Sequence, residues 1–81
     1  MTVTVRYFAM LREQSGCERE SVSLDPSDAN CRGLFDSLSR RYGFQLDQSV
    51  VKVAINDEFR DWDQGLADGD TVVFIPPVAG G

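Results

Sequence analysis

Hydrophobic and polar residues alternate over Thr2-Val3-Thr4-Val5-Arg6-Tyr7-Phe8, the period of a half-buried strand. Val3, Val5 and Tyr7 fall on one face. Thr2, Thr4, Arg6 and Phe8 fall on the other, which leaves Phe8 as an aromatic on the polar side. Ala9 to Ser15 can form one or two helical turns, closed by Gly16. A second strand follows from about Glu18 to Leu24, with Glu18, Glu20, Val22 and Leu24 on one side. Only two of those four are apolar, which suits an edge strand. From Cys31 the period changes: Cys31, Leu34, Phe35, Leu38 and Tyr42 recur at helical spacing. The main helix is expected from Ala29 to Tyr42, capped by Ser27 or Asp28 and ended by Gly43. Arg40 and Arg41 suit its negative end. Gly33 inside it costs about 1 kcal/mol against alanine, which suggests a close neighbour there.

The two-residue period returns at Val50–Asn56, where Val51, Val53 and Ile55 point inward. Asn56-Asp57 is a turn of the kind that tolerates left-handed backbone. Glu58 to Asp61 is a short strand containing Phe59, and Leu66 faces inward from the next connection. Asp68-Gly69-Asp70 is turn chemistry. Thr71 to Ile75 is the last strand, with Val72 and Phe74 on one face and Thr71, Val73 and Ile75 on the other. Five strands and one main helix predict an α+β domain, the helix packed on one face of a mixed sheet. The first and last strands are expected as parallel neighbours in its centre. Pro76 and Pro77 lack the N–H groups a ladder needs. The domain is therefore expected over residues 1–76. Residues 77–81 form an extended tail ending in Gly80 and Gly81, with no side chain to hinder entry into a narrow channel.

At 81 residues the chain is one domain with one small core. That favours a binding or carrier role over a self-sufficient enzyme. Net charge is −5, which argues against nucleic acid and suits a basic partner surface. There is no histidine, so zinc sites with histidine ligands and Cys-His or Ser-His nucleophile pairs are excluded within the sequence given. Cys17 and Cys31 match no metal or redox spacing; Cys31 reads as helix core and Cys17 as a strand start. With no signal peptide or long apolar run, a cytoplasmic protein with no membrane contact and no disulfide is expected. Asp57, Glu58, Asp61 and Asp63 match no calcium loop and read as solvated surface, so no metal is expected. Trp62 reads as a packing residue over the core.

This order of elements, with its terminal glycines, resembles the ubiquitin-like β-grasp fold. More closely it resembles the small, sulfur-carrying subunits of molybdopterin synthases. The residues that carry the resemblance are Phe8-Ala9-Met10-Leu11-Arg12-Glu13, Arg41-Tyr42-Gly43, Val53-Ala54-Ile55-Asn56, and the run from Leu66 to Gly81. The last of these is the most specific. Asp57, where the family often has glycine, and the helix start at Asn30 and Cys31 depart from the pattern without touching the tail.

The resemblance implies that an ATP-dependent, ubiquitin-activating-like adenylyltransferase converts the Gly81 carboxylate to an acyl adenylate. A cysteine desulfurase or rhodanese-type donor then supplies sulfur to give a C-terminal thiocarboxylate. The large catalytic subunit takes up the tail and passes the sulfur to cyclic pyranopterin monophosphate, building the molybdopterin dithiolene. The chain itself is expected to bind no cofactor and to be no enzyme alone; ATP belongs to the activating enzyme. Adenylation supplies the leaving group that a carboxylate lacks, and a thiocarboxylate needs no histidine to activate it.

The alternation independently puts Phe8 and Ile75 on the outer sheet face, with Phe59 as a further member. The family implies partner contacts for Phe8, Phe59 and Ile75, with Arg12 at the rim and Pro76, Pro77, Val78, Ala79 and Gly80 along the tail. Three rival functions are a carrier for thiamine thiazole synthesis, a ubiquitin-like protein modifier, and a β-grasp adaptor with an inert tail. Ile75-Pro76-Pro77-Val78 favours the molybdopterin branch over the first of these.

Overall fold

The computed structural model of the chain describes residues 1–77. Strand β1 (Thr2–Tyr7) leads through the short helix α1 (Ala9–Ser15) to strand β2 (Arg19–Ser23). Helix α2 (Cys31–Tyr42) and strands β3 (Lys52–Ile55), β4 (Glu58–Arg60) and β5 (Thr71–Ile75) follow. One sheet contains all five strands in the order β2-β1-β5-β3-β4. Only the β1–β5 pair is parallel; the rest are antiparallel. The last strand therefore occupies the middle of a mixed sheet beside the first. β2 lies at an edge, where its sparse apolar pattern put it.

The period-two faces explain the layering. Val3, Val5 and Tyr7 from β1, Val72 and Phe74 from β5, and Val53 and Ile55 from β3 are all buried. Cys31, Leu34, Phe35 and Leu38 of α2 join the same core. Phe35 meets Phe74 edge-on at 5.1 Å, and Trp62 stacks on Phe74 at 5.8 Å with 10° between the rings. Trp62 is thus a packing residue. It closes the core where the β4–β5 connection crosses the sheet, and Leu66 packs against that core too.

Local signals held with small displacements. Gly16 and Gly43 end the two helices at φ of 77° and 69°, and each donates its N–H to a carbonyl of the last turn. Asn56 and Asp57 both have positive φ, 51° and 71°, in the β3–β4 hairpin. In the Asp68–Asp70 turn, Asp68 accepts the Thr2 N–H and Asp70 accepts the Ala67 N–H. β5 ends at Ile75, ahead of the two prolines.

Several boundaries differ from expectation. Helix α2 starts at Cys31 rather than Ala29, and its cap is Asn30, whose Oδ1 accepts the Gly33 N–H at 2.7 Å. Pro26–Asp28 instead makes a separate 3₁₀ turn, fixed by the Asp25 carboxylate accepting the Ser27 N–H. Pro26 thus opens one short turn, Ala29 returns the backbone to an extended conformation, and Asn30 then caps the helix. Gly33 is exposed, so its role is as the capped donor and not as a site of close packing. Val50 lies in a 3₁₀ turn, Gln48–Val50, ahead of β3. Cys17 sits in the bend before β2 and not in the strand itself. Phe8 has left β1 and occupies the position before α1.

Candidate functional site

β5 delivers the chain to Pro76 and Pro77 from the middle of the sheet, at the end where β1 finishes. In the parallel register Tyr7 lies opposite Phe74, so Phe8 and Ile75 are the next residues out of each strand. They line one apolar groove of about 640 Å³ with Ala9, Met10, Leu46, Pro76 and Pro77. Phe8 and Met10 are each 42% exposed. The outer-face pair expected from alternation is therefore brought together at the end of β5, beside Pro76 and Pro77. Val78, Ala79, Gly80 and Gly81 lie outside the described residues.

The backbone turns sharply at this groove. Ala9 has φ of 48°, a left-handed conformation that its Cβ disfavours by about 1–2 kcal/mol. That turn separates β1 from α1 and leaves Phe8 half exposed. The Arg6 guanidinium lies over the Phe8 ring, 5.4 Å from its centroid. Met10 and Leu46 were missed by pattern reading, because α1 is too short to show a period and Leu46 lies in a loop.

Phe59 shares the outer face but not the groove. It pairs with Ala54, which pairs with Val73, so a row runs Phe59–Ala54–Val73–Arg6 across four strands. Phe59 stands at the β4 edge and is 69% exposed. Two strand spacings separate it from β5, about 10 Å. Arg12 is exposed on α1 and lines no part of the groove. Two further hollows, beside α2 and between β3 and β4, carry many polar and charged side chains.

The structure also reveals a polar cluster built on Glu20. Its carboxylate accepts the Tyr7 hydroxyl at 2.8 Å and the Tyr42 hydroxyl at 2.5 Å. Arg41 lies 3.6 Å away, and the Cys17 Sγ 3.7 Å. One side chain so ties β2 to β1 and to the last turn of α2. Its parity with Val22 and Leu24 pointed it inward; only the register could show the tyrosines. Burial opposes its charge, but the bonds from Tyr42 and Tyr7, with Arg41, outweigh this and hold its carboxyl below the usual 4.5. Burial, and then the bond to Glu20, push the Tyr7 hydroxyl well up. The same bond raises Tyr42.

A lowered folded-state value stabilises the fold above pH 4.5, and that stability is lost as pH falls through the lowered value. Glu20→Gln should cost about 1–2 kcal/mol at neutral pH. The cost should shrink as denaturation curves are repeated below pH 4.5. A cost that stays constant into acid would show that the charge contributes nothing.

The remaining candidates stay structural. Burial, then the nearby Asp70 charge, push the Cys31 thiol up to about 11, so it is no ready nucleophile. Glu58 is paired with Arg60, and Asp63 with Arg32 at 2.7 Å. Among the described residues no three potential ligands cluster to hold a metal ion. None of the described helices is long and apolar enough to cross a membrane.

A family model described as the ThiS family matches residues 5–81. The molybdopterin synthase sulfur carrier subunit of Escherichia coli is 34% identical, over 98% of this chain and 99% of that protein. The protein of the same description from Mycobacterium tuberculosis is 36% identical, over 98% of this chain and 96% of that protein. Among solved structures, a putative molybdopterin converting factor subunit 1 from Pyrococcus furiosus has TM-score 0.81 at 33% identity, covering 96% of this chain and 99% of that one. SAMP1 from Haloferax volcanii has TM-score 0.80 at 26% identity, with both chains fully covered. A chain in the complex of subunits 1 and 2 of the Helicobacter pylori molybdopterin-converting factor has TM-score 0.70 at 29% identity, again over the whole of both. The fold is thus the ubiquitin-like β-grasp of these neighbours, a mixed five-stranded sheet with two helices.

Proposed function

Because the chain belongs to the ThiS family and is a small ubiquitin-like sulfur carrier, we propose that it serves as the sulfur-carrying subunit of a molybdopterin synthase. The observation that carries this reading is the likeness to molybdopterin synthase carriers over nearly all of both chains, with the family match running to Gly81.

In this reading a Gly81 carboxylate oxygen attacks the α-phosphorus of ATP on an activating enzyme, and pyrophosphate leaves. The terminal sulfur of a donor cysteine persulfide attacks the resulting acyl carbon, and AMP leaves; a thiol then attacks the donor sulfur of this acyl disulfide, forming a disulfide with it and releasing the thiocarboxylate. The thiocarboxylate then enters the large catalytic subunit and gives its sulfur to cyclic pyranopterin monophosphate. Val78, Ala79 and Gly80 span the channel, while Pro76 and Pro77 keep the exit extended. Phe8, Ile75 and Phe59 rest on the partner, with Arg12 at the rim. The work belongs to the cytoplasm, where the precursor and ATP are available.

Deleting the chain from its own organism tests the assignment. Loss of molybdenum-enzyme activity with thiamine synthesis intact supports it. A thiamine requirement with molybdenum enzymes intact overturns it.

The second reading, a protein modifier, is favoured by one observation: the likeness to SAMP1, a small archaeal modifier protein. It predicts conjugates of high mass that vanish when Gly81 is removed.

A further inference from the structure

The charges of this acidic chain are unevenly placed. Four of its eight cations are paired with carboxylates: Arg32 with Asp63, Arg40 with Asp36, Arg41 with Glu20 and Arg60 with Glu58. The other four, Arg6, Arg12, Arg19 and Lys52, form no ion pair among the described residues. The strand register puts three of them on a single surface. Arg19 pairs with Arg6 and Arg6 with Val73, while Lys52 pairs with Ile75. All of these belong to the outer face, opposite the row Val5–Val72–Ile55 that packs under the helix.

No carboxylate stands among the strand residues of that face. β2 supplies Arg19, Ser21 and Ser23; β1 supplies Thr2, Thr4 and Arg6; β5 supplies Thr71, Val73 and Ile75; β3 and β4 supply Lys52, Ala54 and Phe59. Asp61, just past β4, comes into the register of Lys52 but makes no ion pair with it. In a chain with net charge −5, the strand residues of this face thus carry three cations and no carboxylate. That face also holds Ala54 and Val73, Phe59 and the Phe8–Ile75 groove, and it borders Pro76 and Pro77. The Phe8 ring holds Arg6 in place.

We propose that this outer face docks on an acidic surface of the enzyme that activates the tail, carboxylates surrounding an apolar centre. This reverses the inference from net charge alone, which pointed to a basic partner. The proposal rests on the carrier reading and adds to it the sign of the partner surface. Carboxylates of the partner meet Arg6, Arg19 and Lys52, while its apolar centre covers Phe59, Ala54 and Ile75. The carboxylates on the rest of the carrier repel the same surface, so only one orientation brings the tail forward. Electrostatics of this kind acts on encounter rate and orientation more than on final affinity.

The test is the double variant Arg6→Glu/Lys52→Glu, with Arg40→Glu on α2 as control. Each is assayed with the activating enzyme by carrier-dependent ATP–pyrophosphate exchange, at low and high salt. Thermal melts check folding, and thiocarboxylation of the wild type checks the carrier reading itself. We expect the double variant to lose about tenfold or more in kcat/KM at low salt, borne by KM, with that gap narrowing at high salt. The control should stay within about twofold, as an exposed pair permits. The proposal is overturned if the double variant matches the wild type while the wild type is thiocarboxylated normally. It is also overturned if Arg40→Glu falls equally far, or if the reversals alter only self-association in sedimentation. Absence of any wild-type loading instead defeats the carrier reading.

Discussion

A chain lacking Gly81 should accept no sulfur, yet melt like the full-length protein. The residues that make the core run from Val3 to Phe74, and the last strand ends at Ile75. Every strand pairing is complete before Pro76. Removing a residue six positions past the end of β5 leaves all of these contacts in place, so stability should change by less than about 0.5 kcal/mol. In the proposed carrier reading, however, the acyl group that takes the sulfur moves to Gly80, one residue short of the position proposed for it. A shift of about 3.5 Å along an extended chain is far beyond what a positioned reaction tolerates. Loss of sulfur transfer with an unchanged melt, read by circular dichroism, is the expected pair of results. A chain that unfolds instead would place Gly81 within the fold. A chain that still delivers sulfur would make the tail irrelevant.

The second large effect concerns stability. Phe74→Ala should remove about 3–5 kcal/mol, a large share of what a domain this small possesses. Phe74 is fully buried on the central strand, between Tyr7 and Val53 in the sheet. Its ring also touches Phe35 at 5.1 Å and Trp62 at 5.8 Å. Truncation leaves a cavity that strands on both sides prevent from collapsing. Urea titration should show the midpoint falling sharply. Phe59→Ala should leave it nearly unmoved, because that ring is 69% exposed. Equal losses at the two positions would mean that Phe59 is structural and not a partner contact.

Much of this was legible in the residues. Alternation of Val3, Val5 and Tyr7, and of Val72 and Phe74, identified which faces meet the helix. The spacing of Cys31, Leu34, Phe35 and Leu38 identified the helix that covers them. Such periods are read easily because burial imposes them on every turn or pleat. The Phe8–Ile75 pair follows from the same parity, given that the first and last strands are parallel neighbours.

What escaped notice has no period. Asn30 caps α2 through one hydrogen bond, and Asp25, Ser27, Asp28 and Asn30 all carry side chains able to do so. Choosing among them required the path of the chain past Pro26. Glu20 reads as a polar residue on a weak edge strand; two tyrosine hydroxyls, one from β1 and one from α2, make its carboxylate a tie between three elements. Met10 and Leu46 reach the groove from a helix of about two turns and a loop, where no neighbour in sequence forecasts direction. The charge of the outer face was hidden for another reason. Net charge sums over all surfaces, and here ion pairs engage four of the five cations that lie elsewhere.

The measurement that bears most directly on the whole account is the mass of the chain after incubation with an activating enzyme, ATP and a sulfur donor. The account predicts that one oxygen is exchanged for one sulfur, that fragmentation places it on Gly81, and that ATP is required. Sulfur on Cys17 or Cys31, or a mass unchanged while the same enzymes load another carrier, would contradict it.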